Sequence, residues 1–288
     1  MDATPTPLAL LAHPYRALQA VDFDRLRLKA LLPPAGAALV WDLRRGVQER
    51  AFRLVRTRPG GLALILVLPP AQLLRPQSRF LEVIEATRPS AILPFHQVPH
   101  VGELAHVLRR PPGDLPAEIT DYMAWRGLSV PPDIRQLIRR TVELSGEVRS
   151  VQALARGMYI SRRALGRRFD SAGLPVPSHW LHFSRLLRVV LRLQNSHDSI
   201  VAAGFRVGYP DGFSLSNQMQ RLTGFRPSEA RKYLGWEWLL EAWLRREAEA
   251  GGLSLGDPAV APPPEDPPPP SMQRAHGRAP RRVRGTGS

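Results

Sequence analysis

Val151-Gln-Ala-Leu-Ala155, a short break, and Ser161-Arg-Arg-Ala-Leu-Gly-Arg-Arg-Phe169 form a pattern that recurs some fifty residues later. It returns as Ser199-Ile-Val-Ala-Ala203, a break around Val207-Gly208-Tyr209, and Phe213-Ser-Leu-Ser-Asn-Gln-Met-Gln-Arg221. Each copy reads as a short helix with an apolar stripe, a tight turn, and a second helix rich in arginine or amide side chains. A long helical stretch joins the copies. This shape can lay one helix in a DNA major groove while another braces it. Residues 148–236 are therefore expected to be all-α, with two tandem helix-turn-helix units.

The charge pattern points the same way. Residues 148–236 carry 14 basic and 4 acidic residues, so +10 of the net charge of +15 lies in under a third of the chain. That is the electrostatic footprint of a nucleic-acid-binding module. The absence of cysteine excludes disulfides, thiolate metal sites and a cysteine nucleophile. The longest apolar run, Leu62 to Leu68, is far shorter than the roughly 20 residues that span a bilayer. No signal peptide is evident at Met1-Asp-Ala-Thr-Pro5. A soluble cytoplasmic protein with no membrane partner is expected.

Outward towards the N-terminus, strands and helices alternate. Strands are predicted at Ala38–Asp42, Leu62–Leu68 and Ser90–Phe95, and helices at Arg44–Thr57, Ser78–Thr87 and Val101–Arg109. The Leu62–Leu68 run is apolar on both faces, as a parallel strand should be. This implies a small open parallel α/β sheet over residues 36–112. Residues 1–35 read as an N-terminal extension with one helix near Val21–Leu32. Residues 113–147 read as a linker and a bracing helix, Pro132 to Ser145. Residues 251–288 are a Pro- and Arg-rich tail expected to be disordered.

The α/β pattern of residues 36–112 loosely resembles the receiver domains of bacterial response regulators. A working receiver needs clustered carboxylates and a late lysine. Here Asp42 is the only carboxylate at a comparable strand end, and no lysine lies between Lys29 and Lys232. The resemblance is thus to a degenerate receiver, with Asp42 in a turn or cap role.

Residues 148–236 resemble the DNA-binding domain of the AraC/XylS family of bacterial transcription regulators. The likeness rests on Leu154-Ala155, Ser161, Leu165, Arg167, Phe169 and Gly173, then Arg185-Leu186 on the linking helix. In the second half it rests on Ser199-Ile200, Gly208-Tyr209, Asp211, Leu215, Met219, Gly224, Pro227-Ser228 and Arg231. Most of these have a structural reading of their own. Leu154, Leu165, Phe169, Leu186, Leu215, Met219 and Leu222 should form two small cores. Ser161 and Asp211 suit helix N-caps, and Gly173 and Gly224 suit left-handed C-terminal positions. Pro227 can open a last helix, Ser228 to Leu234, that continues beyond Trp236 to about Ala250 and stops at Gly251-Gly252.

What remains exposed on the two second helices is the candidate DNA surface. In the first unit this is Arg162, Arg163, Gly166, Arg167 and Arg168. The resemblance implies that positions 163, 166 and 167 read bases. Arginine can grip guanine O6 and N7 with two hydrogen bonds, and Arg168 is expected on phosphate. In the second unit the candidates are Gly212, Phe213, Ser214, Asn217, Gln220 and Arg221. Asn217 stands where the family usually has arginine and can pair with adenine. Phe213 can pack on a thymine methyl or fold inward. Further departures are Ala203-Gly204 in place of Ile-Ala, and Tyr159 where glycine is common in the first turn.

Neither His96, His100 and His106 nor His179 and His182 offer a zinc ligand set. No phosphate loop, nucleophile elbow or paired catalytic carboxylates are present. The expectation is a sequence-specific transcription regulator, not an enzyme, with no cofactor or metal. Double-stranded DNA is its partner; RNA polymerase and a second copy of the chain are further candidates. The alternative is an interaction adaptor whose DNA-binding domain has decayed.

Overall fold

Leu64, Ile65, Leu66 and Val67 are all buried, so the strand that holds them must be covered on both faces. The computed structural model, which describes residues 7–21, 33–69, 79–94 and 99–255, shows how. Three parallel strands, β3 (Ala38–Asp42), β4 (Ala63–Leu68) and β5 (Ala91–Pro94), lie side by side with Leu39 opposite Leu64 and Ile65 opposite Ala91. Side chains alternate between faces. Leu39, Trp41, Leu64 and Leu66 meet Phe52 and Val55 of α1 (Glu49–Arg56) and Val83 of α2 (Phe80–Thr87). On the other face, Val40, Ile65 and Val67 meet Leu104 and Leu108 of α3 (Val101–Arg109).

Two further strands come from the segment read as an extension. β1 (Leu8–Leu11) and β2 (Leu18–Ala20) form an antiparallel pair, and β1 adds antiparallel to β3. The sheet order is β2-β1-β3-β4-β5, so the sheet is mixed, with a parallel half where one was predicted. Strands of four and three residues are too short to show a period in sequence. Most of the helix predicted near Val21–Leu32 lies outside the described residues. α1 begins later than predicted because the Asp42 carboxylate accepts from the Arg44 backbone N–H at 3.1 Å and pairs with its guanidinium at 2.6 Å, making a turn.

Beyond the sheet the chain is helical. α4 (Leu115–Trp125) occupies a stretch read as linker. Asp114 caps it by accepting from the Ala117 N–H at 2.9 Å, and Pro116 sits in its first turn, where a missing donor costs nothing. α5 (Pro132–Leu144) follows as predicted. Then come α6 (Val151–Gly157), α7 (Arg162–Ser171), α8 (Pro177–Asn195), α9 (Ile200–Arg206) and α10 (Gly212–Thr223). The predicted last helix is two: α11 (Pro227–Ala230) and α12 (Glu237–Glu249). Gly235, at φ 75°, turns the chain left-handed between them.

The two small cores expected around the helix-turn-helix units are one. Leu154, Leu165, Phe169, Leu215, Met219 and Leu222 belong to a single cluster that runs through α8 and α12. Trp243 of α12 stacks on Phe183 of α8 at 4.3 Å and meets Trp180 edge-on at 4.6 Å. α8 is apolar on several faces at once, so it serves both units.

Buried polar contacts tie the sheet to the helices. Arg88 bridges Glu237 at 2.5 Å and Glu118 at 2.7 Å, and the Ser90 hydroxyl donates to Glu237 at 2.9 Å. The Glu241 carboxylate accepts from Arg126 at 2.8 Å and from Tyr122, whose oxygen in turn accepts from the Gly61 N–H at 2.7 Å. Burial alone would raise the Glu241 pKa; the bonds from Arg126, Tyr122 and Arg245 and the Arg126 charge outweigh it and hold the carboxyl below its ordinary value. Arg58 is buried, donates to the carbonyls of Leu62, Thr87 and Arg88, and lies 4.2 Å from the Trp125 ring.

Candidate nucleic-acid interface

The two units are built on one frame. In the first, the Ser150 hydroxyl accepts from the Ala153 N–H at 3.1 Å and starts α6. The Ser161 hydroxyl accepts from the Ala164 N–H at 3.1 Å and starts α7. In the second, Ser199 caps α9 through the Ala202 N–H at 3.0 Å, and Asp211 caps α10 through the Ser214 N–H at 2.6 Å. Both predicted caps, Ser161 and Asp211, are in place. Hydrogen bonds from the Ser214 backbone and hydroxyl, with help from the Phe213 N–H, hold the Asp211 carboxyl below its usual range.

The turns differ. Each needs a left-handed residue after the first helix. Gly208 supplies it in the second unit at φ 85°, but Tyr159 supplies it in the first at φ 56°. A tyrosine there is strained by its own Cβ, and its ring is left 97% exposed. Pro210 makes the second turn one residue longer. The guanidinium of Arg149 lies over Gly208 where a Cβ would otherwise stand.

Counted from their caps, α7 and α10 match residue by residue. Leu165 matches Leu215 and Phe169 matches Met219, all buried. On the outer face, Arg163 matches Phe213, Gly166 matches Ser216, and Arg167 matches Asn217. Positions 163, 166 and 167 share one helix face by the three- and four-residue spacing. Arg162, Arg163, Arg167 and Arg168 are exposed, and none has a side-chain hydrogen bond or ion pair to a described residue. A Cβ on Gly166 would meet nothing within 4 Å, so the glycine leaves an open notch between two arginines.

The second face is only partly available. Phe213 points outward and is 76% exposed, so it does not fold inward. Asn217 and Arg221 are exposed. Ser214 donates its hydroxyl to Asp211 at 3.1 Å, and Gln220 donates to the Gly224 carbonyl at 3.1 Å. Those two candidates are engaged in the helix ends. Gly212 opens α10 against Val201 of α9.

Several arginines counted in the charge excess hold the fold. Arg185 donates from Nε to the Val207 carbonyl at 2.9 Å and lies 4.7 Å from the Tyr209 ring, clamping the second turn onto α8. Arg188 donates to the Ser145 hydroxyl at 2.9 Å and the Val142 carbonyl at 2.8 Å, joining α8 to α5. Arg192 pairs with Asp198 at 2.5 Å. Sequence alone marked Arg185 only through resemblance; its half-apolar helical neighbours were the physical signal. Among the described residues, no three His, Asp or Glu side chains gather as a metal ion would require, and no helix is long and apolar enough to cross a membrane. The Nδ1 of His179 meets the Glu247 carboxylate at 3.0 Å.

A family model described as a helix-turn-helix domain matches residues 154–233. The match covers both units and supports an AraC-type DNA-binding module in this part of the chain. No curated protein matches. Among solved structures, a Listeria innocua protein of unknown function is 22% identical, with a TM-score of 0.31, over 35% of this chain and 97% of its own.

Proposed function

We propose that the chain is a sequence-specific transcription regulator of the AraC/XylS type that reads two successive major grooves. The observation that carries this reading is the matched pair of capped helices, α7 and α10, flanking α8 in the chain, with Arg163 and Arg167 exposed on one and Phe213 and Asn217 exposed on the other. α8 has 19 residues, a length of about 28 Å at 1.5 Å per residue. Successive major grooves on one face of DNA recur every ~34 Å, the spacing that the two helices are proposed to match. Arg163 and Arg167 are the proposed base readers of the first unit, and Asn217 of the second. Arg162, Arg168 and Arg221 are proposed phosphate contacts.

Residues 36–112 are proposed to be a degenerate receiver-like module that does not take up phosphate. The Asp42 carboxylate is engaged by Arg44 through backbone and side chain, which opposes its use as a phosphoryl acceptor or metal ligand. Acetyl phosphate with Mg²⁺ is expected to leave the protein unmodified; a phosphorylated species abolished by Asp42→Ala would refute this part.

Footprinting on duplex selected from a random pool tests the main reading. Two protected stretches one helical turn apart, with affinity falling steeply as salt rises, are expected. Salt-sensitive binding with no preferred site would instead favour an adaptor with a decayed DNA-binding domain.

A further inference from the structure

The first helix of each unit presents two outward positions four residues apart. In α6 these are Gln152 and Arg156, both exposed and polar. In α9 the matching residues are Val201 and Phe205, 44% and 55% exposed. The change is the same on the reading helices, where Arg163 is replaced by Phe213. Three positions that are polar in the first unit are thus apolar in the second, and all three side chains face water.

Val201 and Phe205 are one turn apart on α9. The Val201 Cγ2 lies 3.1 Å from where a Cβ on Gly212 would be, and Phe213 is the next residue. The front of α10 also lacks a free hydrogen-bonding side chain. Gly212 has none, and Ser214 and Asp211 bond each other.

We infer that the second unit reads thymine C5-methyl groups through Phe213, flanked by Val201. This rests on α10 being a groove-reading helix. The thymine methyl is the apolar feature of the major-groove edge, and apolar side chains recognise it. Phe213 occupies the position that Arg163 holds in the first unit, so a ring there enters the groove when α10 does. Asp211, the nearest carboxylate, sits at the positive N-terminal end of α10, which offsets part of its charge towards DNA. A protein seated on Phe213 would block α10 from the groove, so the two uses exclude each other.

Replacing the thymines of the α10 half-site with deoxyuridine removes only the methyl groups. With the full chain on its selected duplex, each contacted methyl lost is expected to weaken binding about four-fold, the factor for burying one such group. Phe213→Ala should bind thymine and uracil duplexes equally, Phe213→Leu should keep part of the difference, and substitution in the α7 half-site should change nothing. Wild-type protein that discriminates sequence but is indifferent to thymine or uracil overturns the inference. So does self-association that Phe213→Ala abolishes alongside that indifference, which would mark the patch as a protein surface. Failure to prefer any duplex sinks the DNA-reading proposal itself and this inference with it.

Discussion

Ser161 and Asp211 begin α7 and α10 in the same way, and Leu165 and Leu215 enter the same core, yet Arg163 and Arg167 face out from one helix where Phe213 and Asn217 face out from the other. The inward positions are constrained by packing around α8 and α12, so any change there costs cavity or strain. Arg163, Arg167, Phe213 and Asn217 carry no such packing constraint, so their chemistry can differ without cost to the fold. One unit offers charge and long bidentate donors. The other offers a short amide and an aromatic ring. The same frame therefore presents two outward faces of different chemistry.

The largest expected effects are those that treat the units alike. Leu165→Ala and Leu215→Ala each empty a fully buried site and should each destabilise by about 2–5 kcal/mol in denaturant titrations. Because the two sites lie in one cluster, unfolding should stay a single transition in both variants. Separate transitions for the two units would show that they are independent bodies.

The turns should respond in opposite directions. Gly208→Ala places a Cβ on a left-handed residue beneath Arg149 and should cost about 1–2 kcal/mol. Tyr159→Gly removes the matching penalty from the first turn and should stabilise by up to about 1 kcal/mol, since the exposed ring gives little in return. Equal destabilisation by both changes would mean that Tyr159 makes contacts that offset its backbone.

A smaller effect separates phosphate contact from base reading. Arg168→Ala should weaken all duplexes alike and lower the salt slope by about one. A loss confined to particular sequences would move Arg168 into the reading set.

Much of this was legible from local pattern. The parallel strands followed from the apolar run at Leu62–Leu68, and the caps from Ser161 and Asp211 standing before apolar periodicity. What stayed hidden depended on distant partners. β1 and β2 are too short to announce themselves and exist because β3 offers an open edge. α4 was masked by the prolines that precede it, although Leu115, Ile119, Tyr122 and Met123 carry a helical stripe. Among the site residues, Ser214 and Gln220 looked as available as Asn217, because sequence cannot show that cap geometry and the Gly224 carbonyl use them. Arg185 and Arg188 entered the charge count of this region without distinction and are struts.

The division of labour between the units is tested most directly with Arg167→Ala and Asn217→Ala. Both would be titrated against single-base variants of the selected duplex at two salt concentrations. Arg167→Ala is expected to cost about 1–3 kcal/mol and to relax preference at one or two base pairs in one half-site. Asn217→Ala should relax preference about one helical turn away and leave the first half-site untouched. If both variants instead weakened every duplex equally, neither residue would read bases and the two faces would differ only in charge.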